Sequence, residues 1–456
     1  EAKVTDTWPQ RALFTTNSCR FNDGSSDYLN RTPSSAGNRR TWTWSAWIKK
    51  STIAVSPAVT LFGAKDGGYP EILYFASDDT LVWQHDISGS DYLLTISNKV
   101  FRDTNAWYHI VFSADSTQAS QGDRFKVYVN GVEETSWTKT NNPSQNIDWG
   151  NQLAQSSGDL TISGTESQTQ LFEGYMSHVA FVDGQALAPT VFGETDSTSG
   201  IWKFKSPSGV TWGNTGYHLK MENSANLGLD SSGNTNNFTV GGNLKQAVDT
   251  PSNVSATLNP LNSTGNGTEP TYSIGNLQSV SPSSGGGFVG SSTLGVSSGK
   301  YYFEIQRSAG TSSNVYIGIG DEKQTREIAR QSASAIFIGN AVYYKPDDGN
   351  KVIVTNGSGV ESSYGATYGN GDKIFALSDF DGDGYAEEKI TIVSGLKNPT
   401  GVTYFKGDLY FAEIEEIWVI KSKDSWLMSN KDISPKVELF MAGLPSETWH
   451  GFRYID

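Results

Sequence analysis

Thr41-Trp42-Thr43-Trp44-Ser45-Ala46-Trp47-Ile48-Lys49 decides the fold class. Side chains two apart share a face of an extended strand, so Trp42, Trp44, Ala46 and Ile48 fall on one side and Thr43 and Ser45 on the other. Working outward, Trp107, His109 and Val111 alternate with Tyr108, Ile110 and Phe112. Both faces of that strand are covered, as a two-sheet sandwich requires. Phe125, Val127 and Val129 form a further face and run into Asn130-Gly131, a strong hairpin signal because both residues tolerate positive φ. Another strand covers Tyr175 to Val182 and closes at Asp183-Gly184.

The composition agrees. The 456 residues include 48 Gly, 13 Trp, 20 Tyr and 21 Phe, with only 18% charged, which describes a turn-rich β protein packed by large aromatics. The best helical candidate, Glu322 to Arg330, is a short connection, and nothing supports a coiled-coil shaft. Acids exceed bases by 48 to 34, for a net charge of −14, so neither nucleic acid nor an anionic membrane is an expected partner. Cys19 is alone and makes no internal disulfide, which leaves the compartment open. No apolar run approaches the roughly 18 residues of a spanning helix, and no signal peptide is retained. The chain opens Glu1-Ala2-Lys3 without methionine, as after processing or trimming.

Three modules are expected: a sandwich over 1–240, a linker over 241–270, a second sandwich over 271–373 and a β segment over 374–456. Leu229-Asp230-Ser231-Ser232-Gly233-Asn234 and Ser263-Thr264-Gly265-Asn266-Gly267 belong to polar, apolar-poor stretches. Strand character resumes at Tyr301, Phe303 and Ile305, then at Val315, Ile317 and Ile319. Residues 372–456 hold 15 acidic and 9 basic residues, a denser charge than the rest, and tryptophan returns at Trp418. Strands there cover Val402 to Tyr404, Leu409 to Ala412 and Ile417 to Ile420.

The first module resembles the concanavalin A-like or laminin G-like jelly-roll family, through Thr43 to Lys49, Asn105 to Val111, Lys126 to Val132 and Phe172 to Val179. More narrowly, Phe21-Asn22-Asp23, Leu29 to Arg39, Val182 to Pro189, Asp230 to Asn234 and Asp249-Thr250-Pro251-Ser252-Asn253 look like virion structural proteins of tailed, marine-type bacteriophages. That resemblance implies a place on the particle surface. The second module resembles a SPRY-type β-sandwich, through Gly299 to Ile305, Tyr316 to Gly320 and Tyr364 to Tyr368. From Phe375 the chain is similar to the start of a glucose/sorbosone dehydrogenase propeller, a family that uses pyrroloquinoline quinone. The resemblance makes His450 the counterpart of a general base. The tail supplies about two blades, too few to enclose a cofactor.

The sharpest ligand-like spacing is Asp379-Phe380-Asp381-Gly382-Asp383-Gly384. Asp379, Asp381 and Asp383, with the Tyr385 carbonyl and Glu387, make a candidate Ca²⁺ loop. It departs from an EF-hand at Ile390, and a solvated acidic turn is the alternative. His85, His109, His178, His218 and His450 show no metal spacing and read as satisfied strand or loop histidines. Residues 10–240 lack the alternating carboxylates of a jelly-roll glucanase. Trp42, Trp44, Trp83, Trp107, Trp149 and Trp202 suit the core better than sugar stacking.

The reading is therefore an all-β, non-enzymatic protein with no organic cofactor, expected on the virion surface as a head decoration or a tail or fibre appendage. Its expected partners are other virion proteins, further copies of itself and host surface glycans. The alternatives are a carbohydrate-binding adhesin module of a secreted protein and a fragment of a quinone-dependent sugar dehydrogenase.

Overall fold

A computed structural model describes residues 17–295 apart from 57, 67–68, 86–92, 141–142, 149–157, 166, 266–269 and 281–287. It further describes residues 305, 315–326, 339–345, 348, 350–364, 401–405, 408–412, 416–420 and 437–442. The chain divides into two compact units, Glu1–Gly295 with Ile328–Ile336, and Val296–Glu327 with Phe337–Asp456. The α-helix found among the described residues is the short Glu322–Arg326.

The first unit begins with β1 (Ser18–Phe21), β2 (Tyr28–Arg31), β3 (Thr41–Lys50), β4 (Val59–Asp66), β5 (Tyr69–Phe75), β6 (Thr80–His85), β7 (Leu93–Val100) and β8 (Tyr108–Asp115). It continues with β9 (Phe125–Val129), β10 (Val132–Glu133), β11 (Trp137–Thr140), β12 (Asp159–Ile162), β13 (Gly174–Asp183), β14 (Gly193–Thr195), β15 (Trp202–Phe204) and β16 (Tyr217–Leu219). Then follow β17 (Thr239–Gly241), β18 (Lys245–Ala247), β19 (Leu258–Gly265), β20 (Thr271–Ser273), β21 (Gln278–Val280) and β22 (Phe288–Ser292). Sheet A has the order β10-β9-β8-β3-β13-β1-β18, with β16 also on β13, and sheet B the order β11-β7-β6-β5-β4-β12-β2-β17.

Strand alternation builds the core between them. Trp42, Trp44, Ala46 and Ile48 of β3, Ile110 and Phe112 of β8 and Val127 of β9 meet Leu61, Phe62, Leu73, Phe75 and Trp83 of sheet B in one buried cluster. The rings mesh at tilted angles: Trp42 to Trp83 at 5.6 Å, Trp83 to Phe112 at 5.3 Å and Trp44 to Phe62 at 6.2 Å. At about 25 cal/mol per Å² of apolar surface, such side chains dominate the stability of the unit. Asn130 (φ 48°) and Gly131 (φ 79°) form the expected two-residue turn, with Val129 opposite Val132.

β13 is buried along its whole length because it has covering layers on both sides. Its first half pairs with β1 (Met176 opposite Cys19) and its second with β16 (Val179 opposite Leu219). The change falls at a bulge between Ser177 and Ala180, where His178 has φ 50°. An extra residue in a left-handed conformation is how a strand bends without losing its neighbours. Lys245–Ala247, inside the stretch expected to be a linker, pairs with β1 at the sheet A edge.

The second unit contains two antiparallel meanders. One comprises β23 (Ile317–Gly320), β24 (Ala341–Lys345), β25 (Asn350–Thr355) and β26 (Ser358–Ser363), with Ala341, Val352 and Val354 as a small core. The other comprises β27 (Gly401–Phe405), β28 (Asp408–Ala412), β29 (Glu416–Ile420) and β30 (Val437–Ala442). Tyr301 and Phe303 lie outside the described residues.

Candidate functional site

The candidate calcium loop, Asp379, Asp381, Asp383, Tyr385 and Glu387, lies outside the described residues, as do His450 and Trp149. Among the described residues no three His, Cys, Asp or Glu side chains converge on a point. Trp42, Trp44, Trp83 and Trp107 are buried, so their rings serve packing and are closed to a sugar. Trp202 is half-buried and already engaged. Its ring stacks on His109 at 5.9 Å, and His109 stacks on Trp47 at 4.7 Å. Trp202 Nε1–H donates to His109 Nδ1 at 3.0 Å, which places the imidazole proton on Nε2, facing Ser45 Oγ at 2.9 Å. Burial holds His109 neutral, with its pKa down at about 3. His178 and His218 hydrogen-bond each other at 2.9 Å under Phe204 and Trp212, and burial lowers both.

These contacts close the outer face of sheet A. The chain after β13 lies over it, with Phe204 and Trp202 beside Trp47, Trp107 and Tyr175, and Phe192, Val210 and Trp212 beside Ala180 and Val182. Asp249 pins that cover. Its carboxylate accepts hydrogen bonds from Lys49 Nζ at 2.7 Å and Trp107 Nε1–H at 3.0 Å, and its carbonyl accepts from Ser18 Oγ at 2.5 Å.

Sheet B presents a different outer face. Leu29, Leu160, Leu73 and Trp83 point into the core, so the alternate residues point out. Register places Thr239, Asn30, Thr161, Gly63, Ile72, Gln84 and Leu94 directly opposite one another, strand to strand. Asn30 Nδ2 donates to Thr161 Oγ1 at 3.2 Å along this row. Next to it run Thr60, Tyr74, Val82 and Ile96; Thr60 and Val82, like Thr161, are buried. Loop 163–172 borders the row at Gly63, where a side chain would meet the Gly164 carbonyl at 2.7 Å. Asn30, Ile72, Tyr74, Gln84, Leu94 and Ile96 are all partly exposed. Among the described residues of these strands, Asp159 alone brings a carboxylate to this face, whereas glycoside hydrolysis needs two.

Sequence reasoning missed this row. In β5 and β6 both parities are largely apolar (Ile72, Leu73, Tyr74, Phe75; Leu81, Val82, Trp83), so no polar alternation marks the outward side. Asn30 was visible only within the stretch that carried the virion resemblance.

The residues of that resemblance are structural. Asp183 accepts from the Asn38 N–H at 2.5 Å and the Thr215 N–H at 3.1 Å. Arg31 donates to the Thr215 carbonyl at 3.2 Å and to Asn236 Oδ1 at 2.5 Å. Asp230 accepts from the His218 and Asn236 N–H groups, each at 2.9 Å. A side chain at Gly37 would collide with the Asp183 carboxylate. The motif thus closes the turns around β13 and β16.

Residues 23–192 match the laminin G family model described as the Concanavalin A-like lectin/glucanases superfamily. The chain carries a laminin G, concanavalin A-like domain. Among solved structures, this domain and its surroundings are similar to a heptameric SAP-like pentraxin from Limulus polyphemus, at 16% identity and TM-score 0.33 over 51% of this chain and 95% of that one. A candidate carbohydrate binding protein from Bacteroides ovatus is 17% identical, with TM-score 0.36 over 52% of this chain and 60% of that one. Domain 4 of an extracellular arabinanase from Geobacillus stearothermophilus, in complex with arabinotriose, is 19% identical, with TM-score 0.26 over 38% and 73%. No curated protein matches the chain.

Proposed function

We propose that the laminin G-like domain is a non-enzymatic carbohydrate-binding module that works through the outer face of sheet B. The observation carrying this reading is the partly exposed set Asn30, Ile72 and Gln84 with Tyr74 beside it, aligned across strands through the buried Thr161 and Gly63. Amides and a phenol hydroxyl suit the donor and acceptor pattern of sugar hydroxyls, a tyrosine ring suits their apolar faces, and among the described residues of these strands Asp159 alone brings a carboxylate, where hydrolysis needs two. The family match, to a superfamily that contains lectins, supports the same direction. A glycan array probed with the full chain should show binding to a defined polysaccharide class. The paired change Tyr74→Ala and Gln84→Ala should weaken it about tenfold or more. Binding to no glycan, or binding indifferent to both changes, would sink the proposal.

A place on the outside of a bacteriophage particle, with SPRY-like and propeller-like modules following, is the setting we propose. What supports it is the resemblance carried by Leu29–Arg39, Val182–Pro189 and Asp249–Asn253. Localising the protein on purified particles, at head or tail, checks it. The loop with Asp379, Asp381 and Asp383 remains our proposed Ca²⁺ ligand set for the second unit.

A further inference from the structure

Three functional groups meet where the chain after β18 reaches the end of β3. Lys49 Nζ donates to Asp249 Oδ2 at 2.7 Å, to Asn105 Oδ1 at 3.1 Å and to the Ser255 carbonyl at 3.3 Å. Those bonds use every hydrogen of the ammonium, and the side chains of Lys49 and Asp249 are 1% and 5% exposed. Aromatic rings wall the group. The Lys49 ammonium stands 5.7 Å from the centre of the Tyr175 ring, and Trp107 Nε1–H donates to Asp249 Oδ1 at 3.0 Å. The Ser255 N–H donates to the same oxygen at 3.3 Å, so the carboxylate is held with Oδ2 toward the amine. Asn105 is fixed through its backbone N–H, which donates to Asp103 Oδ1 at 2.9 Å. It is half-buried, and among the described residues its Nδ2 donates to no partner. Lys50, paired with Asp79 at 2.8 Å on the opposite face, has no such carboxamide among its described contacts.

An amine, a carboxamide and a carboxylate in contact, largely shut off from water, are the parts needed for an amide exchange. An ammonium is no nucleophile, but passage of one proton along the 2.7 Å bond gives a neutral amine and a neutral acid, and burial favours neutral forms. We propose that Lys49 and Asn105 join in an isopeptide bond that the protein forms on itself, with Asp249 as the proton carrier. Rotation about Cε–Nζ turns the freed lone pair toward Asn105 Cγ, the carbon that bears the contacted oxygen. Nζ adds to Cγ, Asp249 gives its proton to Nδ2 and takes up a proton that Nζ must lose, and the Cγ–Nδ2 bond breaks. The ammonia released accepts that proton from Asp249 and departs as ammonium. Asp249 ends as the carboxylate it began as, the charge of Lys49 leaves with the ammonium, and no oxidant or further reactant is consumed. Contact already made in the fold supplies the proximity the step needs, and the half-buried position of Asn105 gives the ammonia an exit. The bond ties the end of β3 to the connection ahead of β8. It is a staple indifferent to redox state, in a chain whose single cysteine can make no internal disulfide.

The test is tryptic peptide mapping of the full chain by mass spectrometry after denaturation. The expected product is a branched peptide of Thr41–Lys50 and Asp103–Arg124, uncut at Lys49 and lighter by one ammonia than the two peptides together. Lys49→Arg keeps a cation beside Asp249 without the amine, and Asn105→Ala removes the carboxamide, so both should yield the separate peptides alone. Asp249→Asn removes the proton carrier and should cut the joined fraction about tenfold or more. Asn105→Asp restores an acyl group and should still join, now with loss of water. A wild-type chain that yields only the separate peptides overturns the proposal, however the variants behave. So does a loss of ammonia confined to one peptide, which marks a succinimide, or a loss of water that joins Lys49 to Asp249 instead.

Discussion

Lys49 and Lys50 are consecutive in β3, so alternation sends them to opposite faces. Both are buried, and each is met by one aspartate: Lys49 by Asp249 at 2.7 Å over the outer face, Lys50 by Asp79 at 2.8 Å on the core side, with Phe75 under its ammonium at 4.4 Å. Burial lowers the Lys50 pKa and Asp79 opposes that shift. Burial alone would raise Asp79, but Lys50, the Ala54 N–H and Arg102 outweigh it and hold the carboxyl below its ordinary range. Asp79→Asn should cost about 3–5 kcal/mol, because it strands a buried cation. Since the folded pKa is depressed, this contribution is present above about pH 4 and fades as pH falls, so urea midpoints of the two proteins should converge in acid. His109, His178 and His218 add a second acid sensitivity. Their folded pKa values are depressed, so unfolding takes up protons below about pH 6.5 and stability falls with pH from there. His109→Gln should flatten the fall in unfolding temperature measured between neutral and mildly acid pH.

At the scale of elements, the β9–β10 hairpin was readable because Asn-Gly states its own backbone geometry. The use made of it was not. A Cβ on Gly131 or on Gly193 would stand 2.5 Å from the Trp202 ring, so these two glycines form a slot that seats the indole over His109. Nothing local connects residues 131, 193 and 202, and only the chain reversal after β13 brings them together. Gly131→Ala combines positive φ with the clash, and Gly193→Ala brings the clash alone. Both should destabilise the first unit by about 1–3 kcal/mol, the first more than the second. Chemical denaturation followed by tryptophan fluorescence would report it. A ranking in which Gly193→Ala costs more would assign the slot a different cause. Trp42 and Trp44 of β3 were legible as core for the opposite reason: a period of two is local information, and so is the covering of both faces of β8.

At the scale of the molecule, what escaped the sequence is where the first unit ends. Asp230, Asp249 and Asn276 sit in polar stretches without apolar period, which resemble linker when each residue is weighed alone. In the folded chain they satisfy the His218 N–H, Lys49, Trp107 and the Ser51 carbonyl, so the polar stretch functions as a strap whose partners are more than a hundred residues away for Asp249 and Asn276. Such groups stabilise little by being exposed in a loop, and a good deal by completing buried donors and acceptors. The binding face was hidden by a related limit, since facing position is a property of the sheet and both parities of β5 and β6 look like core. A fragment ending at residue 245 therefore removes Asp249, taking the ion-pair partner from Lys49 and the acceptor from Trp107 Nε1–H, together with Ala247 and Ser255 beside them. It should lose about 3–5 kcal/mol relative to a fragment ending at residue 295. Limited proteolysis of the intact chain should leave a resistant product that retains Asp249 and the β20–β21 hairpin. A stable core lacking both would show that the strap is decoration.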